Sequence, residues 1–301
     1  MPGTLRTLLA TARVPFLLLP PVCVGLGFAA ASWSGHPVGT LRAALVLLGA
    51  ICAHVSVNML NEWADFRSGL DAITVRTPFS GGSGAQPADP QAVGKVLTGG
   101  IVALLVTAGI GLWLLATQGA ALLPIGLAGL LLLATYTPWI THHPLACLLA
   151  PGLGFGPLMT GGAAAAVAGV LVPQAFVASL VPLALVSGLL LLNQFPDVEA
   201  DRTVGRQHIP LLWGRPRAAG VLAALFAFAY AALMGGVLAG ALTRGAMAGL
   251  LTAPLAWSVA RDARRYADDL PRLVPAMGRN VALTLLTPLL MAAGGSWLRG
   301  P

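Results

Sequence analysis

Two short acidic segments stand out in a chain that otherwise contains few charges. Residues 58–71 have the sequence NMLNEWADFRSGLD, and residues 193–206 have the sequence NQFPDVEADRTVGR. Together they hold six of the ten carboxylates, although charged residues make up only 9% of the chain. Carboxylates that lie close together supply oxygen ligands alone, which suits Mg²⁺. No His or Cys is placed to make a zinc site.

The first segment places its polar side chains along one face of a helix. Asn58, Glu62 and Asp65 occur at positions i, i+4 and i+7, with Asn61 beside them. At about 100° per residue, these positions form one stripe. Asp71 follows a glycine and is expected on a loop that folds back.

The second segment repeats this arrangement. Asn193, Asp197 and Asp201 occur at i, i+4 and i+8, whereas Glu199 points in roughly the opposite direction. Each segment therefore runs from an Asn through carboxylates to a glycine. The similarity suggests an ancestral duplication and would place the two stripes face to face across a central cavity.

Arginines accompany both stripes. Arg67 and Arg76 follow the first, and Arg202 and Arg206 follow the second. Carboxylates with bound metal, combined with guanidinium groups, neutralise a polyanion such as a diphosphate. The alternative is that the carboxylates simply form ion pairs with these arginines at a membrane surface.

The elements that position these residues are apolar helices. Hydrophobic residues make up 57% of the chain, its mean hydropathy is +0.83, and this balance is far from that of a soluble domain. Segments of about 20 apolar residues, long enough to cross a bilayer, occupy 14–33, 41–61, 97–117, 120–137, 146–168, 173–193, 218–240, 242–260 and 279–298. We expect an all-α integral membrane protein with nine transmembrane helices around a central cavity, forming one domain over residues 1–301.

The distribution of charge predicts the orientation. With nine spans, all acidic residues and every Lys and Arg except Arg42, Arg244 and Arg299 fall on one side. Because cytoplasmic loops are enriched in Lys and Arg, this side is expected in the cytoplasm, with the N-terminus inside and the C-terminus outside. We expect the plasma membrane of a prokaryote.

The remaining charge and the cysteines exclude other classes. The net charge is +7, but the basic residues are spread over loops without interleaved aromatic residues, so we expect no nucleic acid partner. Cys23, Cys52 and Cys147 each lie in an apolar segment without metal-ligand spacing, which is typical of core packing.

Five motifs occur in an order found in a known family. They are NEWADFRSGLD at 61–71, RTPFSGGSG at 76–84, YTP at 136–138, GLGFGPLM at 152–159 and NQFPDVEADRTVGR at 193–206. With these motifs the chain resembles the UbiA-type intramembrane polyprenyltransferases, in particular their 1,4-dihydroxy-2-naphthoate polyprenyltransferase-like branch. The resemblance implies nine membrane helices and Mg²⁺-dependent transfer of a polyprenyl group from its diphosphate to a small aromatic, quinone-precursor-like acceptor.

The resemblance also implies roles for individual residues. Metal binding is implied for Asn61, Glu62, Asp65, Asp197 and Asp201. Catalytic roles at the Mg²⁺–diphosphate site are implied for these five residues together with Asn58 and Asp71. Substrate contacts are implied for Arg13, Arg67, Arg76, Tyr136, Asn193, Arg202 and Arg206. Glu62 stands where the family usually has Asp, which keeps a ligand but alters the metal geometry.

Two glycine-containing segments have two interpretations each. Residues 76–84 form either a mobile lid, whose backbone amides approach the phosphates, or an ordinary Gly/Ser loop. Gly152 and Gly156 indicate either close helix packing or a groove for the isoprenoid tail.

The segment 136–152 departs from the family because it lacks the expected Lys, Arg and Glu. The acceptor is therefore less well defined than the prenyl donor, and a non-naphthoate acceptor is the alternative within the family. His142 and His143 are either solvated or in contact with the acceptor, and His54 is expected to pack within the bundle.

Other functions stay open at this point. A transporter would use carboxylates near the bilayer midplane and interrupted helices, whereas here every carboxylate is predicted at one membrane face. A CDP-alcohol phosphotransferase would hold its Asp residues in one continuous motif, whereas here they are divided between two distant segments. A catalytically silent membrane scaffold is the third alternative. The sequence leaves the prenyl chain length, the pathway and the oligomeric state open.

Overall fold

The computed structural model describes residues 2–297, and this part of the chain is helical without any β-strand. Arg299, which contributed to the predicted orientation, lies outside the described residues. The α-helices are α1 (Pro2–Thr11), α2 (Leu19–Trp33), α3 (Thr40–Arg67), α4 (Leu70–Ile73), α5 (Ala85–Ala88), α6 (Val93–Gln118), α7 (Leu123–Tyr136), α8 (Pro144–Leu153), α9 (Gly162–Ala168), α10 (Pro173–Asn193), α11 (Val198–Thr203), α12 (Ile209–Trp213), α13 (Arg215–Leu238), α14 (Ala253–Arg265) and α15 (Leu270–Trp297). A π-helix covers Gly154–Gly161, and 3₁₀-helices cover Val14–Phe16, Pro90–Ala92, Ala120–Leu122, Ile140–His142 and Arg244–Thr252.

Six helical segments of the described chain are individually long and apolar enough to cross a membrane. They are Thr40–Arg67, Pro90–Gln118, Pro144–Ala168, Pro173–Asn193, Arg215–Leu238 and Leu270–Ser296. A seventh span forms if Gly3–Phe16 and Leu19–Trp33, which meet at an angle of 44°, cross together. The all-helical prediction is confirmed, whereas the predicted number of nine spans is not.

The two remaining predicted spans differ from ordinary membrane helices. The segment 120–136 begins with a 3₁₀ turn and continues as α7, which has only 14 residues. The segment 244–265 begins with nine residues of 3₁₀-helix before α14. Neither contains an uninterrupted α-helix of the length that a bilayer requires, so these two spans stay predictions.

The break between α1 and α2 positions Arg13. Its φ of 54° makes it the sole non-glycine residue with a positive φ in the described chain, a conformation that costs about 1–2 kcal/mol. Pro15 occupies the start of the following 3₁₀ turn, where a missing N–H is tolerated. The chain changes direction here, and the Arg13 side chain is directed toward α3.

The segment 144–168 is continuous but changes its helical type. Pro151 and Pro157 interrupt the regular hydrogen-bond ladder, and such interruptions favour π-turns. The same segment packs closely on α10: a Cβ atom on Gly156 would lie 2.6 Å from the carbonyl oxygen of Ser179, and one on Gly152 would overlap the carbonyl oxygen of Leu183. These two glycines therefore serve close packing on α10, and neither is among the residues that line the main apolar cavity.

Helix α10 is the centre of the molecule. Its apolar stretch of membrane length is 72% buried, more than that of any other candidate span in the described chain. It packs against α2, α8, α13 and α15, and the largest apolar core lies around Leu185, Leu222 and Met277. Because α10 is held on all sides, its C-terminal end is a rigid base for the second acidic segment.

Candidate active site

The two acidic segments meet at the ends of α3 and α10. Arg206 forms ion pairs with Asp65, near the end of α3, and with Asp201 on α11, at 3.2 Å to the latter. All three side chains are largely buried. One guanidinium group thus joins carboxylates that are more than a hundred residues apart in sequence.

Arg206 reaches this position because α11 ends just before it. Gly205 has a φ of +73° and turns the chain, and the Arg206 amide then donates to the carbonyl oxygen of Asp201. This turn places the Arg206 guanidinium group beside the carboxylate of Asp201 on α11.

Glu62 is buried and has partners on both oxygen atoms. Arg13 donates to Oε1 at 3.0 Å, and the Ser83 amide donates to the same atom at 2.8 Å. The Ser83 hydroxyl donates to Oε2 at 2.7 Å. Glu62 therefore connects the bend after α1 and the loop 76–84 to helix α3.

The loop 76–84 passes directly over the first acidic stripe. Gly82 has a φ of +73°, and a Cβ atom there would lie 2.9 Å from Oδ1 of Asp71 and 3.5 Å from Oε1 of Glu62. The positive φ favours glycine here, and a larger residue would displace the Asp71 carboxylate. Arg76 anchors the loop by donating to the carbonyl oxygen of Asp71 at 2.6 Å.

Two carboxyl groups lie outside the predicted spans and have raised pKa values. Burial, followed by the negative charge of Glu62, raises the pKa of Asp71 to about 6. Burial, followed by the negative charge of Asp201, raises the pKa of Asp197 to about 7. Both carboxyl groups thus lack sufficient neighbouring positive charge to offset their removal from water.

His208 is a site residue that the sequence prediction missed. Its Nε2 lies 3.1 Å from Oδ2 of Asp201, and its Nδ1 accepts from the Leu211 amide at 3.2 Å. Since Nδ1 accepts, Nε2 holds the proton and donates it to Asp201. The available indication was Pro210, which marks the start of a short helix and makes His208 its N-cap.

Other predicted site residues lie farther from this cluster. Arg202 is exposed and pairs with the exposed Glu199 at 3.6 Å, so Glu199 does point away as predicted. Arg67 lies over the ring of Trp63, 5.4 Å from its centroid. The structure therefore brings Arg13, Arg76 and Arg206 to the acidic groups, but not Arg67 or Arg202.

An apolar cavity of about 620 Å³ opens next to the acidic cluster. Its walls come from α3, α6, α7, α10 and the segment 150–166. Its polar lining residues include Arg13, His54, Asn58, Asn61, Tyr136 and Asn193. His54 also packs edge-on against Phe155, with 5.1 Å between the ring centroids.

Asn58 and Asn61 line the cavity, whereas two of the histidines considered above lie away from it. Asn58 donates to the carbonyl oxygen of Ala12 at 3.1 Å, and Asn61 donates to Thr137 at 3.4 Å. His142 and His143 do not line the cavity; His143 stacks on Trp139 with 4.0 Å between centroids. An acceptor contact by either histidine has no support in this arrangement.

The sequence profile of the UbiA prenyltransferase family matches residues 18–283. The chain belongs to this family. The 1,4-dihydroxy-2-naphthoate octaprenyltransferase of Bacillus subtilis (strain 168) is 29% identical over an alignment of 210 residues that covers 65% of this chain and 62% of that protein. The similarity to this curated relative thus spans less than two thirds of the relative's length.

Solved structures of UbiA homologues share the fold. The homologue from Aeropyrum pernix K1 has a TM-score of 0.68 at 22% identity, with 91% of this chain and 96% of that chain covered. The homologue from Archaeoglobus fulgidus bound to DMAPP and Mg²⁺ has a TM-score of 0.62 at 16% identity, with 95% and 99% covered. The arrangement of helices is therefore that of the UbiA family.

The donor atoms of the site fit a hard divalent cation. Among the described residues, no group of three or more His, Cys, Asp or Glu side chains is arranged to hold a metal alone. Three buried oxygens nevertheless lack any hydrogen-bond partner: Oδ2 of Asp71, Oδ1 of Asp197 and Oδ1 of Asn193. Buried polar atoms are rarely left unpaired, and Mg²⁺ typically uses one or two carboxylates together with substrate phosphates.

Proposed function

We propose that this protein is a membrane prenyltransferase that moves a polyprenyl group from a polyprenyl diphosphate to a small aromatic acceptor. The observation that supports this most directly is the junction of an apolar cavity with a cluster of carboxylates and partly buried arginines. An amphiphile with a long apolar chain and a polyanionic head matches both halves of that junction. Membership of the UbiA family supports the same conclusion.

The diphosphate binds, in this proposal, between the two acidic segments. Arg13 and Arg206 are the best placed cations because both guanidinium groups are at most 26% exposed and lie at the carboxylates. In such a water-poor place, charge-assisted hydrogen bonds are stronger than at the surface. Arg76 adds a third positive charge from the loop 76–84.

Mg²⁺ is the proposed cofactor, held by oxygens of the two stripes together with the diphosphate. Asp71, Asp197 and Asn193 supply oxygens that lack a partner; Asn61, Glu62, Asp65 and Asp201 lie beside them in the two segments. When bound, the ion neutralises negative charge that develops on the departing diphosphate.

The protein's own groups control the rest of the reaction. The allylic carbon–oxygen bond breaks with its electron pair on the diphosphate, where Arg13 and Arg206 stabilise it. A ring carbon of the acceptor then bonds to the allylic carbon, and the proton on that ring carbon passes to the released diphosphate. Phe79 of the loop 76–84 lines the cavity. Closure of this loop over the carboxylates would keep water from reacting with the allylic cation that remains when the diphosphate departs.

The acceptor enters, in this proposal, beside Tyr136, which lines the cavity next to the polar end. The Bacillus subtilis relative is named for 1,4-dihydroxy-2-naphthoate, so this compound is the first acceptor to test. The segment 136–152 lacks the Lys and Arg residues that would pair with an acceptor carboxylate. A non-naphthoate aromatic acceptor is therefore tested alongside it.

We also propose that the protein is a single transmembrane domain in a prokaryotic plasma membrane, with its acidic site on the cytoplasmic side. The support is the asymmetry of Lys and Arg across the predicted spans.

The test is a transfer assay with the purified full chain in lipid, using radiolabelled geranylgeranyl diphosphate with and without Mg²⁺. The acceptor panel is 1,4-dihydroxy-2-naphthoate, 4-hydroxybenzoate and homogentisate. We expect Mg²⁺-dependent product that is lost in Asp197→Ala. The matched control is Glu199→Ala, which removes an exposed carboxylate two residues away and should leave activity intact.

A separate binding measurement distinguishes donor from acceptor failure. Mg²⁺-dependent binding of geranylgeranyl diphosphate without product would point to an acceptor outside the panel. If neither binding nor transfer occurs with any donor, the prenyltransferase proposal is wrong.

A further inference from the structure

A second cavity, of about 570 Å³, lies between α13 and α14 and shares no lining residue with the first. Five of its eleven lining residues are alanines, Ala223 and Ala227 on α13 and Ala253, Ala256 and Ala260 on α14, and the aromatic side chains of Phe226, Tyr230 and Trp257 complete its apolar part. Because the alanine side chains are single methyl groups, the two helices leave an apolar slot between them. We refer to this cavity as the α13–α14 groove.

One end of the groove is strongly basic. Arg261, Arg264 and Arg265 line it, and all three are exposed. Arg261 pairs with Asp262 at 2.9 Å. Arg264 has no ion-pair partner within residues 2–297.

Arg265 is partly positioned by an aromatic ring. Its guanidinium carbon lies 5.4 Å from the centroid of the Tyr266 ring, a cation–π contact that leaves the charge uncompensated. The mouth of the groove therefore presents at least two positive charges without a carboxylate partner.

The basic end lies on the same face of the molecule as the acidic site. Arg215, at the start of α13, contacts Asp268, just after α14, at 3.6 Å. The same arginine donates to the carbonyl oxygen of Phe195, just after α10, at 2.8 Å. The arginines thus lie near the predicted cytoplasmic boundary, and the apolar slot extends into the predicted membrane.

The dimensions of the groove match one leaflet. Ala253 and Arg261 are eight positions apart on α14, which corresponds to about 12 Å along the helix. A leaflet contributes about half of a hydrocarbon core of about 30 Å. Trp257, which lines the groove and is 75% exposed, lies one helical turn from Arg261, and tryptophan is enriched at membrane interfaces.

We propose that the α13–α14 groove binds an anionic phospholipid. Its phosphate contacts Arg264 and Arg265, and one acyl chain lies in the slot between the helices. Basic pockets between membrane helices on the cytoplasmic side recognise anionic headgroups in this way. Arginines in a last helical turn also complement the helix dipole, but that role does not require an adjoining apolar slot of this size.

The experiment is native mass spectrometry of the purified full chain in detergent, titrated with phosphatidylglycerol or with phosphatidylcholine of the same acyl chains. We expect tighter retention of phosphatidylglycerol. The double variant Arg264→Gln/Arg265→Gln should weaken the affinity for phosphatidylglycerol about tenfold or more, because each basic residue near an anionic lipid contributes to the free energy of binding.

The matched control is Arg6→Gln/Arg217→Gln. It removes the same charge from two exposed arginines on the same predicted face, neither of which lines the groove. We expect unchanged retention of phosphatidylglycerol. A second variant, Ala227→Phe, narrows the slot while keeping every arginine, and it should also weaken lipid retention.

Several outcomes would overturn the proposal. Equal retention of both lipids, or equal losses in the two double variants, would show unselective attraction. Displacement of the lipid by inorganic phosphate at similar concentration would indicate a site for a free anion. Conversion to a dimer that is lost on Trp257→Ala, without bound lipid, would show that a second copy covers this groove.

Discussion

At the scale of single residues, the site consists of carboxylates with different surroundings. Asp201 has a partner for each oxygen, Arg206 for Oδ1 and His208 for Oδ2. Asp197, four residues earlier, has a buried Oδ1 atom without a hydrogen-bond partner. We infer that Asp201 is held in place by the protein, whereas Asp197 is available to a ligand from outside the chain.

His208 should act by positioning Asp201. We expect His208→Ala to lower activity about 10–100-fold, the usual effect of losing a hydrogen-bond partner of a metal-site carboxylate. The half-saturating concentration of Mg²⁺ should rise, while the KM for the acceptor stays unchanged. The measurement is the transfer rate as a function of Mg²⁺ concentration.

The control for this prediction is His142→Ala, which removes a histidine that does not line the cavity. Partial recovery by His208→Gln, which keeps a donor N–H, would support positioning. An unchanged dependence on Mg²⁺ in His208→Ala would contradict the prediction and show a purely structural histidine.

At the scale of elements, the loop 76–84 is joined to α3 by a few specific contacts. Ser83 donates twice to Glu62, and Arg76 binds the backbone of Asp71. The loop also inserts Phe79 into the lining of the apolar cavity. Because these contacts involve the carboxylates, the loop can change its position when the carboxylates bind a ligand.

Replacing Gly82 with alanine should open this loop. A Cβ atom there would lie 2.9 Å from Asp71 in a backbone conformation with a φ of +73°, so both strain and a clash result. We expect faster tryptic cleavage after Arg76 and a higher KM for the prenyl diphosphate. The measurements are limited proteolysis and steady-state kinetics.

Gly35→Ala provides the matched comparison. Gly35 has a φ of +85° with open space around its Cβ position, so alanine there adds about 1 kcal/mol of backbone strain without a clash. Equal effects of the two substitutions on cleavage after Arg76 would refute the role of the contact with Asp71.

The sequence could predict which elements hold the site, but not which arginine completes it. Arg202 and Arg206 both follow the second stripe, and periodicity does not separate them. The two arginines differ because α11 ends before Gly205, whose positive φ turns the chain. This turn places Arg206 at Asp201, whereas Arg202 stays on the exposed face of α11. His208 was missed for the same reason, since its contact with Asp201 depends on a turn rather than on helical spacing.

At the scale of the whole molecule, apolar composition predicted the helices better than it predicted spans. Every predicted apolar segment corresponds to helical structure in residues 2–297, yet only six or seven pass as full-length spans. Composition does not indicate where 3₁₀ and π segments shorten or bend a helix. Pro15, Pro151 and Pro157 lie at such points.

The predicted orientation has a direct test in membrane vesicles. In a variant with Cys23, Cys52 and Cys147 replaced by alanine, we introduce Glu199→Cys or Ala239→Cys, both at exposed positions. Glu199 belongs to the acidic face, whereas Ala239 follows the opposite end of α13. An impermeant maleimide should label Glu199→Cys only in inside-out vesicles and Ala239→Cys only in right-side-out vesicles, because the Lys- and Arg-rich face is retained in the cytoplasm.

The pattern of labelling separates three arrangements of the chain. The reverse pattern would place the diphosphate site outside the cell, where the excess of arginine has no topological explanation. Labelling of both positions from one side would mean that α13 does not cross the bilayer, although it is 24 residues long. Such a result would contradict the span predicted for α13, whose start is connected to the end of α10 by the hydrogen bond from Arg215 to the carbonyl oxygen of Phe195.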